Sequence, residues 1–267
     1  MGFLVTREQI LKVGERFRQT VDPVLTIVFG VDGPGNSGHT QPNYDYRGSA
    51  CYFTYAGFPF ILTAKHVLDR PPKPEHFFHG KGENATFPLR SGWCAPNDQS
   101  LDIAIFGCFQ TALNEAGVMP WPYSSLLAPS FDHHDALFYC NGFPGSNAVY
   151  MPSLGHFSIS GNAFIGKQAR LPEGFDSAKF MAIDYPSSTE PLGMSGAPVW
   201  NLRLHCMDAL ASWSPEVVSL AGVVHKWFRD EGVLVATRVE CIRDFVPSAV
   251  EHLRVKHRWI DGDNCHV

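Results

Sequence analysis

Apolar residues in this chain follow two kinds of pattern. Near the start, Ile10, Val13 and Phe17 recur at helical spacing, which predicts an amphipathic helix over residues 7–19. Thr6 and Gln9 stand three apart at its beginning, so hydroxyl and amide can each satisfy a backbone group there as a capping box. Near the far end, Val250 and Leu253 share one side while Ser248 and Glu251 repeat the capping spacing. These predict a second helix over roughly 247–259.

Between the helices the pattern shortens. Apolar runs rich in β-branched and aromatic residues occupy Val24–Phe29, Ala50–Tyr55, Phe58–Thr63, Asp102–Phe106 and Ala136–Cys140. Others lie at Phe180–Ile183, Pro198–Trp200, Val217–His225 and Val233–Thr237. Each is of strand length and most are bounded by turn residues. Ala56-Gly57 predicts a tight hairpin turn, and Gly30 to Gly48 a long loop. The spacing suits antiparallel barrels and not alternating βαβ units. The predicted fold is all-β, two packed antiparallel β-barrels with flanking N- and C-terminal helices. The divisions fall at 1–21 (helical segment), 22–118 (first barrel), 119–246 (second barrel) and 247–267 (helix and tail). Pro120, Pro122 and Pro129 punctuate the connection between the barrels.

Composition narrows the partners. The 267 residues are 45% hydrophobic and 18% charged, the balance of an ordinary globular protein. A formal charge of −5 supplies no basic field for phosphates, so no nucleic-acid partner is expected. No stretch of about 18 apolar residues occurs, so no membrane span is expected. The first residues lack the basic start and apolar core of an export signal. Seven cysteines cannot all pair within one chain, and none has the Cys-x-x-Cys spacing of a zinc site. Several sit in apolar runs, as in Ala50-Cys51-Tyr52-Phe53, where a reduced thiol behaves as a small hydrophobe. A cytoplasmic location, with no metal and no cofactor, is the expectation.

Candidate chemistry gathers in three segments. Acyl transfer at neutral pH needs a nucleophile, a base, an anion to orient the base, and donors for the oxyanion. Ile61-Leu62-Thr63-Ala64-Lys65-His66-Val67 presents a histidine just past a strand. Leu101-Asp102-Ile103-Ala104-Ile105 places an acid at the mouth of a buried strand. Gly193-Met194-Ser195-Gly196-Ala197-Pro198-Val199 holds a serine between glycines ahead of another. Gly35-Asn36-Ser37-Gly38 matches the same serine pattern, but it precedes the histidine and leads into no buried strand.

In this order the segments resemble the trypsin-like (chymotrypsin-fold) serine peptidases, especially their bacterial and intracellular branch. Thr63 to His66 matches Thr-Ala-x-His, Asp102 to Ala104 matches Asp-Ile-Ala, and Gly193 to Pro198 matches Gly-x-Ser-Gly-x-Pro. Gly142-Phe143-Pro144-Gly145 resembles the Gly-Tyr/Phe-Pro turn of the second barrel, and Leu220 to Val224 the strand lining the cleft. The likeness spans roughly residues 22–246. It implies an endopeptidase in which Ser195 attacks the scissile carbonyl, His66 moves the proton and Asp102 orients His66. The oxyanion hole would be the N–H groups of Gly193 and Ser195. Partners would be a protein or peptide substrate and, if activity is controlled, a regulatory protein.

Two departures bear on control. Val67 stands where secreted relatives carry a disulfide-bonded Cys, which fits a reducing compartment. Met194 replaces the Asp that secreted zymogens pair with a freed N-terminus, so activation by that ion pair is not expected. The resemblance implies a substrate pocket near Thr189 and Glu190, faced by His225, Lys226 and Trp227. Glu190 would favour a basic substrate residue and His225 an acidic one, so the preference stays open.

The remaining motifs carry less. His133-His134-Asp135 lacks matching ligands. Asp261-Gly262-Asp263-Asn264 ends before the acid a calcium loop requires. Two rival functions remain: a catalytically latent fold serving as a binding scaffold, and an esterase of the α/β-hydrolase kind. The latter expects Gly-x-Ser-x-Gly with Asp and His downstream, whereas Ala197 and the upstream His66 and Asp102 depart from that order.

Overall fold

The computed structural model describes residues 6–32, 43–69, 77–81, 85–88, 93–108, 110–115, 117–126, 136–151, 156–185, 190–204 and 213–256. Helix α1 (Arg7–Val21) opens with the expected capping box, Thr6 Oγ1 accepting from Gln9 N–H and Gln9 Oε1 from Thr6 N–H. Strands β1 (Leu25–Asp32), β2 (Asn43–Tyr55) and β3 (Phe58–Thr63) follow. Next come β4 (Phe77–Lys81), β5 (Ala85–Pro88), β6 (Trp93–Cys94), β7 (Ala104–Gly107), the short helix α2 (Gln110–Glu115) and β8 (Trp121–Pro122). The second half carries β9 (Leu137–Gly142), β10 (Ala148–Met151), β11 (His156–Ile159) and β12 (Asn162–Ala169). It ends with β13 (Phe180–Asp184), β14 (Pro198–Asn201), β15 (Ser219–Phe228), β16 (Val233–Arg238) and helix α3 (Val239–Lys256).

The two halves differ in closure. β5-β4-β1-β2-β3-β7-β6 form one antiparallel sheet, with β8 added to β2 in parallel. β12-β13-β16-β15-β14-β9 close into a six-stranded barrel. The expected Gly30–Gly48 loop is shorter than its sequence suggests, because β1 runs on to Asp32 and β2 begins at Asn43.

One apolar cluster unites sheet, barrel and helices. It takes Phe53, Phe60, Leu62 and Ile105 from the sheet, Tyr139, Trp200 and Leu220 from the barrel, and residues of α1 and α3. Phe17 of α1 is fully buried there. Its ring meets Trp121, Tyr139, Trp200 and Trp213 edge-on at centroid distances of 5.2–6.4 Å. Phe17→Ala is expected to lower unfolding free energy by about 3–5 kcal/mol, the usual cost of emptying an aromatic core site. Chemical denaturation measures this.

The C-terminal helix corrects the sequence reading. It starts at Val239, not near 247, so Ser248 and Glu251 lie within it and form no capping box. Ser248 Oγ instead donates back to the Phe245 carbonyl. Pro247 sits inside the helix, where it has no N–H to bond the carbonyl four residues earlier. That carbonyl, of Arg243, accepts from Tyr123 Oη at 2.8 Å.

Candidate active site

Strand register brings the first two candidate residues together. Thr63 of β3 lies opposite Ala104 of β7 in an antiparallel pair, so β3 exits where β7 enters. His66 follows Thr63 on a single 3₁₀ turn, Lys65–Val67, anchored by buried Ala64 and Val67. Asp102 precedes Ala104 and is flanked by buried Leu101 and Ile103. Asp102 Oδ1 accepts the His66 backbone N–H at 2.8 Å, and Oδ2 lies 2.5 Å from His66 Nδ1. Burial alone would raise the Asp102 carboxyl. The hydrogen bonds and charge of His66 outweigh it and hold the group below the usual carboxylate range.

Ser195 reaches the same place from the barrel. The β14–β15 ladder extends past Pro198 through Gly196 N–H to Val224 O and Val224 N–H to Ala197 O, both at 2.9 Å. Two β-turns close just before it: Met194 N–H bonds Pro191 O, and Ala197 N–H bonds Met194 O. Gly193 (φ +97°) and Gly196 (φ +86°) occupy the third positions of those turns, where a positive φ is needed. Leu192 O accepts from Gly145 N–H at 2.6 Å. In a trans peptide N–H and C=O oppose each other, so the Gly193 N–H points away from that contact. The same holds for the Ser195 N–H, since Met194 O is turned toward Ala197. Among the described residues neither N–H has a protein acceptor.

Two side chains of β2, Tyr46 and Ser49, hold this loop, and their role was not read from the sequence. Ser49, fully buried, donates its N–H to Ser195 O at 2.8 Å and its hydroxyl to Gly193 O at 3.0 Å. The same hydroxyl accepts the Phe143 N–H at 2.8 Å, and Ser49 O accepts from Thr63 Oγ1 at 2.7 Å. Tyr46 Oη faces Phe143 O and Gly193 O. Burial raises its phenol far above the ordinary range, so it remains a donor. Met194 is fully buried in the barrel's apolar cluster. Polar side chains of β2 and the Gly142–Gly145 turn therefore support the loop.

His66, Asp102, Gly193, Ser195, His225 and Trp227 all line one cleft of about 1160 Å³. The expected substrate pocket is only partly assembled. Glu190 is exposed, paired with Arg229, and does not line the cleft. Thr189 lies outside the described residues, as do His133-His134-Asp135, residues 261–264 and the Gly35–Gly38 repeat of the serine pattern. His225 turns toward Asp102, its Nδ1 lying 3.3 Å from Oδ2. Trp227 packs beneath the Arg229 guanidinium, 5.0 Å from the ring centre. Cys51, Cys94, Cys108, Cys140 and Cys241 are free thiols, and burial pushes those of Cys108 and Cys140 well upward. No helix among the described residues is long and apolar enough to cross a membrane.

No protein-family model matches the chain, and no curated protein matches it by sequence. Solved structures do match by fold. The HtrA-type protease AlgW with a decapeptide superposes with a TM-score of 0.56 at 14% identity, over 90% of this chain and 68% of that one. A serine endoprotease from Yersinia pestis gives 0.55 at 14% identity, over 89% and 66%. Human heparin binding protein gives 0.53 at 13% identity, over 86% and 92%. The chain has the chymotrypsin-like fold of these proteins, an expectation of the sequence that the architecture bears out.

Proposed function

We propose that this chain is a serine endopeptidase acting through His66, Asp102 and Ser195, of the bacterial and intracellular kind. The observation that carries the reading is the doubly anchored Asp102–His66 pair on the wall of the cleft that also holds Ser195. Both carboxylate oxygens take N–H groups of His66, which fixes the ring plane and puts the proton on Nδ1. Nε2 is then the free lone pair, able to take the Ser195 hydroxyl proton. Ser195 Oγ attacks the substrate carbonyl, and the N–H groups of Gly193 and Ser195 receive the developing oxyanion. His66 returns the proton to the leaving amine, and water then releases the acyl group by the same route. No cofactor is needed for these steps. Free thiols, three of them buried, support a reducing, cytoplasmic setting. The Ser49–Tyr46 support of the oxyanion loop favours activity without processing.

The test is exposure of the folded chain to a fluorophosphonate, with the modified peptide mapped by mass spectrometry. Phosphonylation of Ser195 is expected. A folded chain that stays unmodified would overturn the reading and favour the binding-scaffold alternative.

A further inference from the structure

His225 is a titratable group in the cleft, beside the triad, that the mechanism above leaves unused. It sits near the middle of β15, one residue beyond Val224, whose carbonyl accepts the Gly196 N–H. Its ring is held edge-on by Phe175 and Phe180, with centroids at 6.0 and 5.6 Å. That packing aims Nδ1 at Asp102 Oδ2, 3.3 Å away, on the oxygen that also meets His66 Nδ1. The distance is within ion-pair reach without being a hydrogen bond, and the buried Nδ1 has no hydrogen-bond partner among the described residues. One carboxylate oxygen thus stands between two imidazoles whose centres are 6.4 Å apart.

We propose that His225 is a positioning residue that shares Asp102 with His66, so that a proton on His225 withdraws the carboxylate from the catalytic histidine. The proposal rests on the triad reading above. A carboxylate oxygen has lone pairs for two donors, but its stabilisation of a His66 imidazolium weakens once a second cation stands beside it. The groups facing His225 act in opposite senses. Burial is the largest influence and disfavours its charged form; Asp102 favours that form, and His66 and Lys226 oppose it. The net direction is downward, so His225 is neutral while the site works and charges only as the medium turns acidic. Protonation of either ring then opposes protonation of the other, and the two titrate as a coupled pair.

Two readouts on the intact chain test this. The first is the rate of Ser195 phosphonylation against pH. In the wild type, loss of activity on the acid side is expected to steepen toward two protons, a hundredfold per pH unit. In His225→Gln and His225→Asn it is expected to follow one proton, tenfold per unit. The second is a ¹⁵N-histidine NMR titration of His66, which needs no catalysis. The His66 curve should be broadened and biphasic in the wild type and a single step in both variants. Identical His66 titration in wild type and variants would overturn the sharing of Asp102. Coupled NMR titration without any phosphonylation would uphold the sharing and instead bring down the peptidase reading.

Discussion

Replacing Asp102 by Asn is expected to slow phosphonylation of Ser195 by about 10⁴-fold near neutral pH while the fold is retained. The magnitude follows from how each oxygen of Asp102 is used. Oδ1 accepts the His66 backbone N–H and Oδ2 faces His66 Nδ1. An amide offers one acceptor and one donor at those two places. The backbone N–H is always a donor, so the amide oxygen must stay with it, which turns the NH₂ toward Nδ1. Nδ1 is then forced to accept, its proton moves to Nε2, and the lone pair that should receive the Ser195 proton is gone. His66→Ala should lose a similar factor, and the double variant little more, because the two residues act as one unit. Phosphonylation rates of the three variants, with circular dichroism to confirm folding, decide it. A loss below tenfold in Asp102→Asn would show that the pair does not prepare the nucleophile.

How much of this site was legible depended on whether a feature is local. Thr63 to His66, Asp102 to Ala104 and Gly193 to Pro198 each join a strand end to a short polar interruption, so apolar periodicity pointed to the segments. Tyr46 and Ser49 left no such mark. The stretch from Asn43 to Ser49 is polar and reads as loop, yet it lies in β2, and Tyr46 and Ser49 turn inward to bond the carbonyls of Gly193 and Phe143. β12 was missed for a related reason. Its Gly166, Lys167 and Gln168 dilute the apolar signal, and pairing to β9 along six residues defines it instead. α3 was expected too late because Ser248 and Glu251 have the spacing of a capping box, whereas the helix already runs from Val239; Tyr123, more than a hundred residues away, takes the carbonyl that its internal Pro247 cannot bond. The His225–Asp102 approach joins β15 to the residues before β7, and nothing in either segment alone announces it. Glu190 was a reasonable pocket candidate until Arg229 supplied its partner.

The Ser195 turn depends on Gly196 for two separable reasons, and a pair of alanine substitutions distinguishes them. Gly196 has φ +86°, which costs a residue bearing Cβ about 1–2 kcal/mol. A Cβ there would also fall 2.0 Å from Ser49 O, 2.3 Å from Thr63 Oγ1 and 3.1 Å from Ala64 N. Two of these are backbone atoms of β2 and of the turn carrying His66, and Ser49 O is further fixed by the Thr63 hydroxyl. The loop must therefore move instead, giving up the Gly196 N–H to Val224 O and Ser49 N–H to Ser195 O bonds. Gly196→Ala is expected to slow phosphonylation by about 10³-fold or more, the combined result of displacing the nucleophile and one oxyanion donor. Gly174 is the control. It has φ +88° but nothing within 4 Å of a Cβ, so Gly174→Ala should cost about 1 kcal/mol of stability and leave the reaction rate unchanged. Denaturation midpoints and phosphonylation rates of both variants read out the difference. If Gly196→Ala reacts as fast as Gly174→Ala, close approach of the loop to β2 does not hold the nucleophile in place.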